Sequence, residues 1–490
     1  MITVAALTAS LIALISVLRF MKVEQRASAA IHIAHEAISV ISDPDLNDDV
    51  KERQARRAAL SLVKTVVVLL AIAAVAFIAA AVFIVGGDLL GLFSISDTMD
   101  IALSWTFIMW STIGSIALWF LLGRFREKPV QAENSQGDSR EEVPYSALDR
   151  ALHNQAFSSP GLQKGLSRLE DRLWRRRIAA TRAERPVLIT SLPRAGTTIL
   201  LELLAGRPQF AAATYRNMPF TLSPLLWGRF SSLFRKAGEK SERAHGDGIS
   251  VDFDSPEAFE EMIWMTFWRE RYRNGQIALW DETDRNPEFE TFLLQHMRKI
   301  IAGSPGASRY VSKNNANIAR LPLLSAAFPR AQIVIPIRDP ESQIASLMRQ
   351  HARFTDLHSR DRFARQYMEG IGHFEFGAAL RPIAFPGAPD NTDGAETSAY
   401  WLRYWNAAYA HVLESAPKDA IFVDHATLSS RPDEQLPKLA EALSLPDQAS
   451  LSSAAGMFRA PRPSPDLPGA PADLLKRAKD LHAVLLDRAL

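Results

Sequence analysis

Residues suited to binding phosphate are concentrated in one stretch, Val187–Leu203, which has the sequence VLITSLPRAGTTILLEL. A cationic side chain is followed there by a small turn residue and by two hydroxyl groups. Main-chain N–H groups at the start of a helix have no partner within the helix, and the helix dipole favours an anion at that end. The stretch therefore predicts a phosphate-binding loop formed by Arg194, Ala195, Gly196, Thr197 and Thr198.

The segments on either side of this loop are suited to position it. The apolar run Val187–Thr190 has the length of a buried strand and follows Pro186. Pro193 and Gly196 permit a sharp turn after the strand. Apolar residues such as Leu200 then predict a helix that packs against a sheet. The local pattern is strand, turn and helix.

A second group of polar residues follows more than a hundred residues later. Lys313 comes directly after a short predicted strand, Tyr310–Ser312, and Arg338 comes directly after a buried one, Gln332–Ile337. Strand, helix and strand in this order predict a βαβ unit, in which ligands bind at the carboxyl ends of the strands. We therefore expect Lys313 and Arg338 to share one crevice with Arg194.

The two motifs, in this order, resemble those of sulfotransferases that use 3′-phosphoadenosine-5′-phosphosulfate (PAPS). PRxGTT is similar to the loop that surrounds the 5′-phosphosulfate, in the form closest to tyrosylprotein and bacterial members. FPxA and RDPxxxxxS are similar to the segment that supplies an Arg and a Ser to the 3′-phosphate, which match Arg338 and Ser346. The resemblance covers about Pro186–Leu445. It implies that Lys313 neutralises the bridging oxygen as that oxygen leaves.

The resemblance also implies an α/β fold with a parallel sheet flanked by helices, PAPS as the sulfuryl donor, a hydroxyl or amine acceptor, and no metal. Two alternatives are a P-loop kinase and a membrane scaffold whose domain only senses nucleotide. The kinase is disfavoured because the spacing GxxxxGK[ST] is missing and no Lys precedes Thr197. The scaffold is disfavoured because both phosphate-binding motifs are present.

The general base is the point at which the chain departs from the family pattern. Cytosolic relatives have a His two residues after the Lys that matches Lys313, and this chain has Asn315 there. Tyrosylprotein relatives use a Glu shortly after the phosphate loop, where this chain has Tyr215 and no carboxylate nearby. The candidates that remain lie in HGDGISVDFDSPEAFEEMIW and are His245, Asp252, Glu257, Glu260 and Glu261.

Two of these candidates fit the role of base best. Asp254 and Glu257 have the spacing of a capping box, so Glu257 is expected to bind helix N–H groups instead. Glu260 is the carboxylate that no structural role explains. His245 has the side chain that titrates near neutral pH, although it lies in a glycine-rich loop. We predict the base to be Glu260 or His245.

Composition limits the class of protein. A chain of 490 residues has room for more than one domain, and a hydrophobic share of 47% suits a membrane segment joined to a globular domain. The net charge of +2 argues against a dedicated nucleic-acid binder. The absence of cysteine excludes disulfides, thiolate metal sites and a Cys nucleophile. We expect no nucleic-acid partner.

Three apolar segments at residues 2–18, 65–85 and 101–123 predict two or three transmembrane helices, of which the first is the least regular. The connection at residues 19–64 contains eight Lys or Arg, and residues 86–100 contain none. By the positive-inside rule, the first connection and the C-terminal region lie in the cytoplasm, where PAPS is found. We predict a membrane region at residues 1–126, a linker at 127–144 and a sulfotransferase domain at 145–490. A membrane location favours a lipid or glycan acceptor, with a small molecule as the alternative.

Overall fold

The structure is a computed structural model that describes residues 2–23, 26, 48–102, 104, 107, 111, 114, 147–230, 241–242, 250–251, 254–445, 449–460 and 463–490. The chain divides into two compact units, residues 1–139 and 140–490, and each is described by itself. The predicted linker lies outside the described residues. The predicted domain boundaries therefore stay a prediction.

In its described residues, the first unit contains the helices α1 (Ile2–Phe20), α2 (Asp48–Leu89) and α3 (Ile95–Ala102). Ser10 of α1 donates a hydrogen bond to the carbonyl of Ala80 in α2 (2.8 Å). The segments Ile2–Phe20 and Val67–Leu89 are long and apolar enough to cross a membrane by length and composition, and few of their residues are buried. The second extends beyond the predicted residues 65–85, and nearly all of the third predicted span lies outside the described residues.

The second unit contains the remaining strands and helices. Its strands are β1 (Val187–Ile189), β2 (Phe210–Ala211), β3 (Ser241–Glu242), β4 (Ser250–Val251), β5 (Arg309–Lys313), β6 (Gln332–Ile337) and β7 (Ile421–Asp424). Its α-helices are α4 (Ala147–Ser158), α5 (Pro160–Leu173), α6 (Arg175–Ala180), α7 (Thr197–Ala205), α8 (Pro224–Phe230), α9 (Glu261–Phe267), α10 (Pro287–Gly303), α11 (Leu321–Ala327), α12 (Pro340–Arg360), α13 (Arg362–Ile371), α14 (Ser398–Ser415), α15 (His425–Ser430), α16 (Pro432–Ala442), α17 (Ala449–Ser452) and α18 (Ala472–Leu486).

Five strands form one parallel sheet in the order β2-β5-β1-β6-β7, and β3 pairs with β4 in an antiparallel ribbon. In the central strand, Ile189 pairs with Lys313 on one side and with Val334 on the other. The carboxyl ends of parallel strands meet at one edge. The predicted phosphate-binding loop therefore begins at the same edge as Lys313 and the residues after β6.

Hydrophobic cores cover both faces of the sheet, which explains why β1 is apolar at every position. Leu188 belongs to the larger core, together with Trp264 and Trp401. Val187 and Ile189 point to the opposite face and join the second core. The predicted α/β fold with a parallel sheet flanked by helices is confirmed.

Candidate active site

The loop after β1 turns sharply because two of its residues have left-handed backbone conformations, Arg194 (φ 68°) and Gly196 (φ 100°). Gly196 is the N-cap of α7, which begins at Thr197. A Cβ atom at Gly196 would lie 2.5 Å from Cδ2 of His425, so only glycine fits without displacing the ring. The turn sets the N-terminus of α7 at the edge of the sheet. An anion can be bound at such a terminus.

A buried glutamine supports the first half of this loop. The side-chain amide of Gln343 donates hydrogen bonds to the carbonyls of Leu192 (3.3 Å) and Pro193 (2.9 Å). Its oxygen accepts hydrogen bonds from Nε1 of Trp405 (2.9 Å) and from the hydroxyl of Tyr409 (3.3 Å). All of its side-chain hydrogen-bonding capacity faces the loop or the core. The loop is therefore attached to α12 and, through it, to the aromatic side chains of α14.

The structure brings together three of the predicted donor-binding residues. Arg194 donates a hydrogen bond from Nε to Oγ of Ser346 (3.0 Å), and Arg338 donates one from Nη1 to the carbonyl of Arg194 (2.9 Å). Burial lowers the pKa of Arg338, and the nearby charges of Arg194 and Arg349 lower it further, while Asp339 acts in the opposite direction. Arg194, Arg338 and Arg349 therefore concentrate positive charge in one place, which we call the cationic corner, and such a cluster suits a phosphate monoester. Sequence reasoning missed Arg349.

The acidic neighbour of Arg338 has a structural role that limits its effect on this cluster. Asp339 is the N-cap of α12, and its carboxylate accepts hydrogen bonds from the N–H of Ser342 (2.8 Å) and the hydroxyl of Ser464 (2.8 Å). These bonds outweigh burial and lower the pKa of Asp339. The carboxylate is therefore occupied in capping the helix that carries Ser346.

His425 is a further residue beside the loop that sequence reasoning missed. It follows β7 directly, and its ring lies against Gly196. Burial is the main reason that the pKa of His425 is lowered to about 4, and the positive charge of Arg338 adds to the effect, whereas Asp424 opposes it. The imidazole is therefore neutral at physiological pH. The residues next to His425 in the sequence do not indicate a functional role for it. Its contact with Gly196 arises only from the order of the strands in the sheet.

Lys313 is the last residue of β5 and is 7% exposed. Its place opposite Ile189 brings its backbone to the strand that leads into the phosphate loop. Ala195 and Thr197 are also buried, and Thr198 lies in the first turn of α7. The five loop residues, Lys313, Arg338 and Ser346 all belong to one edge of the sheet, as expected from the parallel topology.

The predicted base Glu260 lies in the interior and is 2% exposed. Its carboxylate accepts hydrogen bonds from the hydroxyls of Ser312 (2.6 Å) and Tyr310 (3.2 Å), from the amide of Asn317 (3.1 Å) and from Nε1 of Trp264 (3.4 Å). These donors stabilise a buried carboxylate by satisfying both of its oxygens. The second predicted base, His245, and its neighbour candidate Asp252 lie outside the described residues.

The neighbouring Glu261 forms a buried ion pair. It accepts hydrogen bonds from Arg320 (2.8 Å) and from Nδ2 of Asn314 (2.7 Å), and Arg320 lies between the rings of Trp264 (4.1 Å) and Trp280 (4.5 Å). Asn314 follows Lys313 directly. The ion pair therefore supports the strand end that carries the predicted catalytic lysine.

The capping box predicted at Asp254 and Glu257 is wrong. Helix α9 begins at Glu261, and Asp254 pairs with Arg216 instead. Glu257 accepts hydrogen bonds from its neighbour's N–H (2.8 Å) and from the hydroxyl of Tyr215 (2.7 Å). Backbone pairing of this segment with residues 213–215 holds it extended, and this tertiary contact overrides the local helix signal.

A pocket opens beside the loop and is lined by Leu192 and Pro193, by Asn314 and Asn315, and by residues 372–375. Asn315 donates a hydrogen bond from Nδ2 to the carboxylate of Glu375 (2.9 Å). Sequence reasoning did not identify Glu375, because it lies sixty residues from Asn315 along the chain. Among the described residues there is no group of three or more His, Asp or Glu side chains that could hold a metal.

Residues 186–449 match the model of the Sulfotransferase family, which is more than half of the 490-residue chain. The chain therefore belongs to the sulfotransferase family and is a sulfotransferase enzyme. No curated protein matches it.

Three bacterial sulfotransferases of known structure are among the proteins to which the chain is similar. STF9 from Mycobacterium avium is 12% identical, with 71% of this chain and 87% of that one covered and a TM-score of 0.38. STF1 from Mycobacterium tuberculosis H37Rv is 13% identical, with 70% and 88% covered and a TM-score of 0.37. A sulfotransferase from Alicyclobacillus acidocaldarius is 12% identical, with 62% and 94% covered and a TM-score of 0.28. These likenesses are too distant to assign residue roles.

Proposed function

We propose that the protein transfers a sulfuryl group from PAPS to a hydroxyl or amine acceptor. The observation that supports this most is the convergence of Arg194, Arg338 and Ser346 beside the N-terminus of α7. When bound, PAPS supplies the sulfuryl group together with a bisphosphate that leaves. A site for it needs positive charge at two places, and this chain has a cationic corner next to a helix N-terminus.

Each residue then has a defined task. Main-chain N–H groups of Gly196, Thr197 and Thr198, with Ala195 and Arg194, bind the 5′-phosphosulfate, and Arg338 with Ser346 binds the 3′-phosphate. Lys313 neutralises the negative charge that develops on the bridging oxygen as the bond to sulfur breaks. No step requires a metal.

The acceptor's proton must go to a base. Glu260 and His245 remain the predictions made from sequence for this role. The four hydrogen bonds that Glu260 accepts are compatible with a carboxylate, which is the form a base requires, but they also occupy its oxygens. The substitution Glu260→Gln can also disturb folding, because it changes a buried carboxylate. It therefore tests Glu260 as the base only when the folding of the variant is measured as well.

Nucleotide binding tests the proposed function. We expect adenosine 3′,5′-bisphosphate to bind the full-length, detergent-solubilised protein at least about tenfold more tightly than AMP or ATP, because the partly buried guanidinium of Arg338 forms a charge-assisted bond only when the 3′-phosphate is present. Calorimetry with the three nucleotides, with and without Mg²⁺, measures this order. Mg²⁺-dependent ATP binding that outcompetes the bisphosphate would contradict the proposal and favour a kinase.

We further propose that the chain is anchored in the plasma or inner membrane with its catalytic domain in the cytoplasm. The support comes from two exposed apolar helices and from the basic residues between them. A reporter that is active only outside the cytoplasm, fused after Leu490, should stay silent. An active reporter would overturn this orientation.

A further inference from the structure

A chain of hydrogen bonds connects the phosphate loop with the pocket beside it. The hydroxyl of Thr197 donates to Oδ1 of Asn315 (3.3 Å), and Nδ2 of Asn315 donates to Oε1 of Glu375 (2.9 Å). Thr197 is the first residue of α7, and Asn315 lies two residues after Lys313. The carboxylate of Glu375 is thereby attached to both elements that carry the donor-binding residues.

The two hydrogen bonds of Asn315 fix the orientation of its side-chain amide toward Glu375. Because Oδ1 of Asn315 accepts from Thr197, the NH₂ group of the amide is turned toward Glu375. Oε1 of Glu375 therefore accepts a hydrogen bond from this amide. Glu375 is half-buried, so its charge keeps some hydration. A carboxylate held in this way is ready to accept a proton.

The pocket that Glu375 lines is narrow and mainly apolar. Its walls include Leu192 of the phosphate loop, Phe374, Leu380, Trp401 and Ile383. Its cavity volume is about 40 Å³. The polar side chains that line it beside Glu375 already form hydrogen bonds within the protein; they are Asn314, Asn315, His373, Arg381 and Tyr404. A sugar ring with several hydroxyl groups would therefore leave polar groups unpaired in this pocket. The end of a narrow apolar molecule avoids this cost.

We propose that Glu375 is the general base of the reaction and that the acceptor is a narrow apolar alcohol or amine whose reacting group enters this pocket. This inference rests on the proposed function and names its acceptor class. The acceptor's proton goes to Oε of Glu375, and the acceptor oxygen or nitrogen forms a bond to sulfur. The bond between sulfur and the bridging phosphate oxygen breaks, and its electron pair leaves with adenosine 3′,5′-bisphosphate.

The other described carboxylates near the site are less suited to this task. Both oxygens of Glu260 and of Glu257 accept hydrogen bonds from the protein, and Glu261 is bound to Arg320. None of these three lines the pocket, whereas Glu375 does. Glu375 is also bound by Asn315, which lies two residues after Lys313.

The test uses full-length protein in membranes or detergent, PAPS with radiolabelled sulfur, and three probes as acceptors: 1-octanol and 2-naphthol as narrow apolar alcohols, and glucose as a polar one. A membrane lipid extract serves as a fourth acceptor. We expect transfer to the apolar alcohols. Glu375→Gln should lower kcat about 10²- to 10⁴-fold and remove the acidic limb of the pH profile of kcat, while bisphosphate affinity stays unchanged.

A matched control is Glu369→Gln, which makes the same change at a half-buried position six residues earlier, where the carboxylate pairs with Arg365 (3.0 Å). It should keep wild-type kcat. A wild-type kcat in Glu375→Gln with the best acceptor would overturn the assignment of Glu375 as the base. A large loss of kcat in a folded Glu260→Gln variant would assign that role to Glu260 instead. Transfer to glucose but not to the alcohols would overturn the acceptor class. No transfer to any acceptor would instead contradict the proposed function.

Discussion

Arg338 donates a hydrogen bond from Nη1 to the main-chain carbonyl of Arg194 at 2.9 Å, so the residue that follows β6 holds the turn that follows β1. Two cationic residues from motifs far apart in the sequence are therefore in direct contact. Burial and mutual repulsion lower the pKa of Arg338, which means that its charge is stabilised less than in water. A bound anion would stabilise the positive charge of Arg338.

The first prediction concerns this arginine. Arg338→Ala should remove most of the preference for adenosine 3′,5′-bisphosphate over AMP, because the charge-assisted bond to the 3′-phosphate is lost, at a cost of about 1.5 to 3 kcal/mol. AMP binding should weaken by a smaller factor, because the bond to Arg194 also disappears. Calorimetry measures both. Arg360→Ala is the control, since Arg360 is exposed at the C-terminal end of α12, the helix that follows Arg338, and pairs with Asp356. An unchanged preference in Arg338→Ala would exclude the 3′-phosphate from this corner.

The second prediction concerns Lys313. Lys313→Ala should lower kcat about 10²- to 10³-fold, or about 2.7 to 4 kcal/mol in transition-state stabilisation, with a much smaller effect on donor affinity. The reason is that the lysine's charge matters most when the leaving oxygen becomes negative. Steady-state kinetics and bisphosphate titration separate the two effects. Lys476→Ala, which removes an exposed lysine paired with Asp480, should behave as wild type. A loss of donor affinity as large as the loss of kcat would assign Lys313 to ground-state binding.

The third prediction follows from the lowered pKa of His425, which is about 4 in the folded protein. An unfolded histidine binds a proton below about pH 6.5, so between these values the unfolded state binds more protons than the folded state. The free energy of unfolding is therefore highest above pH 6.5 and falls as the pH drops toward 4. At pH 5 this effect of one histidine amounts to about 2 kcal/mol.

His425→Gln should reduce this loss of stability. The thermal unfolding midpoint of the variant should fall less between about pH 7.5 and about pH 5 than that of the wild type. Some acid sensitivity remains, because burial also lowers the pKa of His296, to about 3. Identical decreases in the two proteins would show that His425 does not titrate in this range.

The fourth prediction concerns the buried ion pair of Arg320 and Glu261 and its effect on the stability of the protein. Arg320 is fully buried and pairs with Glu261 between two tryptophan rings. Arg320→Ala should destabilise the protein by about 3 to 5 kcal/mol, because the carboxylate of Glu261 loses its partner in the interior. Adding Glu261→Gln should recover part of this loss. Denaturant unfolding measures both variants, and additive effects of the two substitutions would argue against a coupled pair.

The arrangement of the proposed donor side was predictable because its signals are local. A strand, a turn with Gly196 and a helix follow one another within Val187–Leu203, and Arg338 comes directly after a second buried strand. Parallel strands place such residues at one edge without any knowledge of side-chain contacts. The sequence therefore predicted the convergence of Arg194, Lys313 and Arg338 at this edge.

The proposed acceptor side was not predictable because its contacts are long-range. Glu375 meets Asn315 only through the packing of the chain after α13, and His425 meets Gly196 only because β7 lies next to β6. The capping box predicted at Asp254 and Glu257 shows that a local pattern can also give a wrong prediction. A local pattern at Asp254 was overridden by backbone pairing with residues 213–215, which is a tertiary contact.

The most direct test of the central claim is a transfer assay with full-length wild-type protein in membranes. One sample receives PAPS labelled on sulfur, and a parallel sample receives ATP labelled on its γ-phosphate with Mg²⁺. We predict that label from PAPS enters an acceptor without added metal and that Arg194→Ala abolishes this incorporation. Incorporation from ATP but not from PAPS would contradict the account.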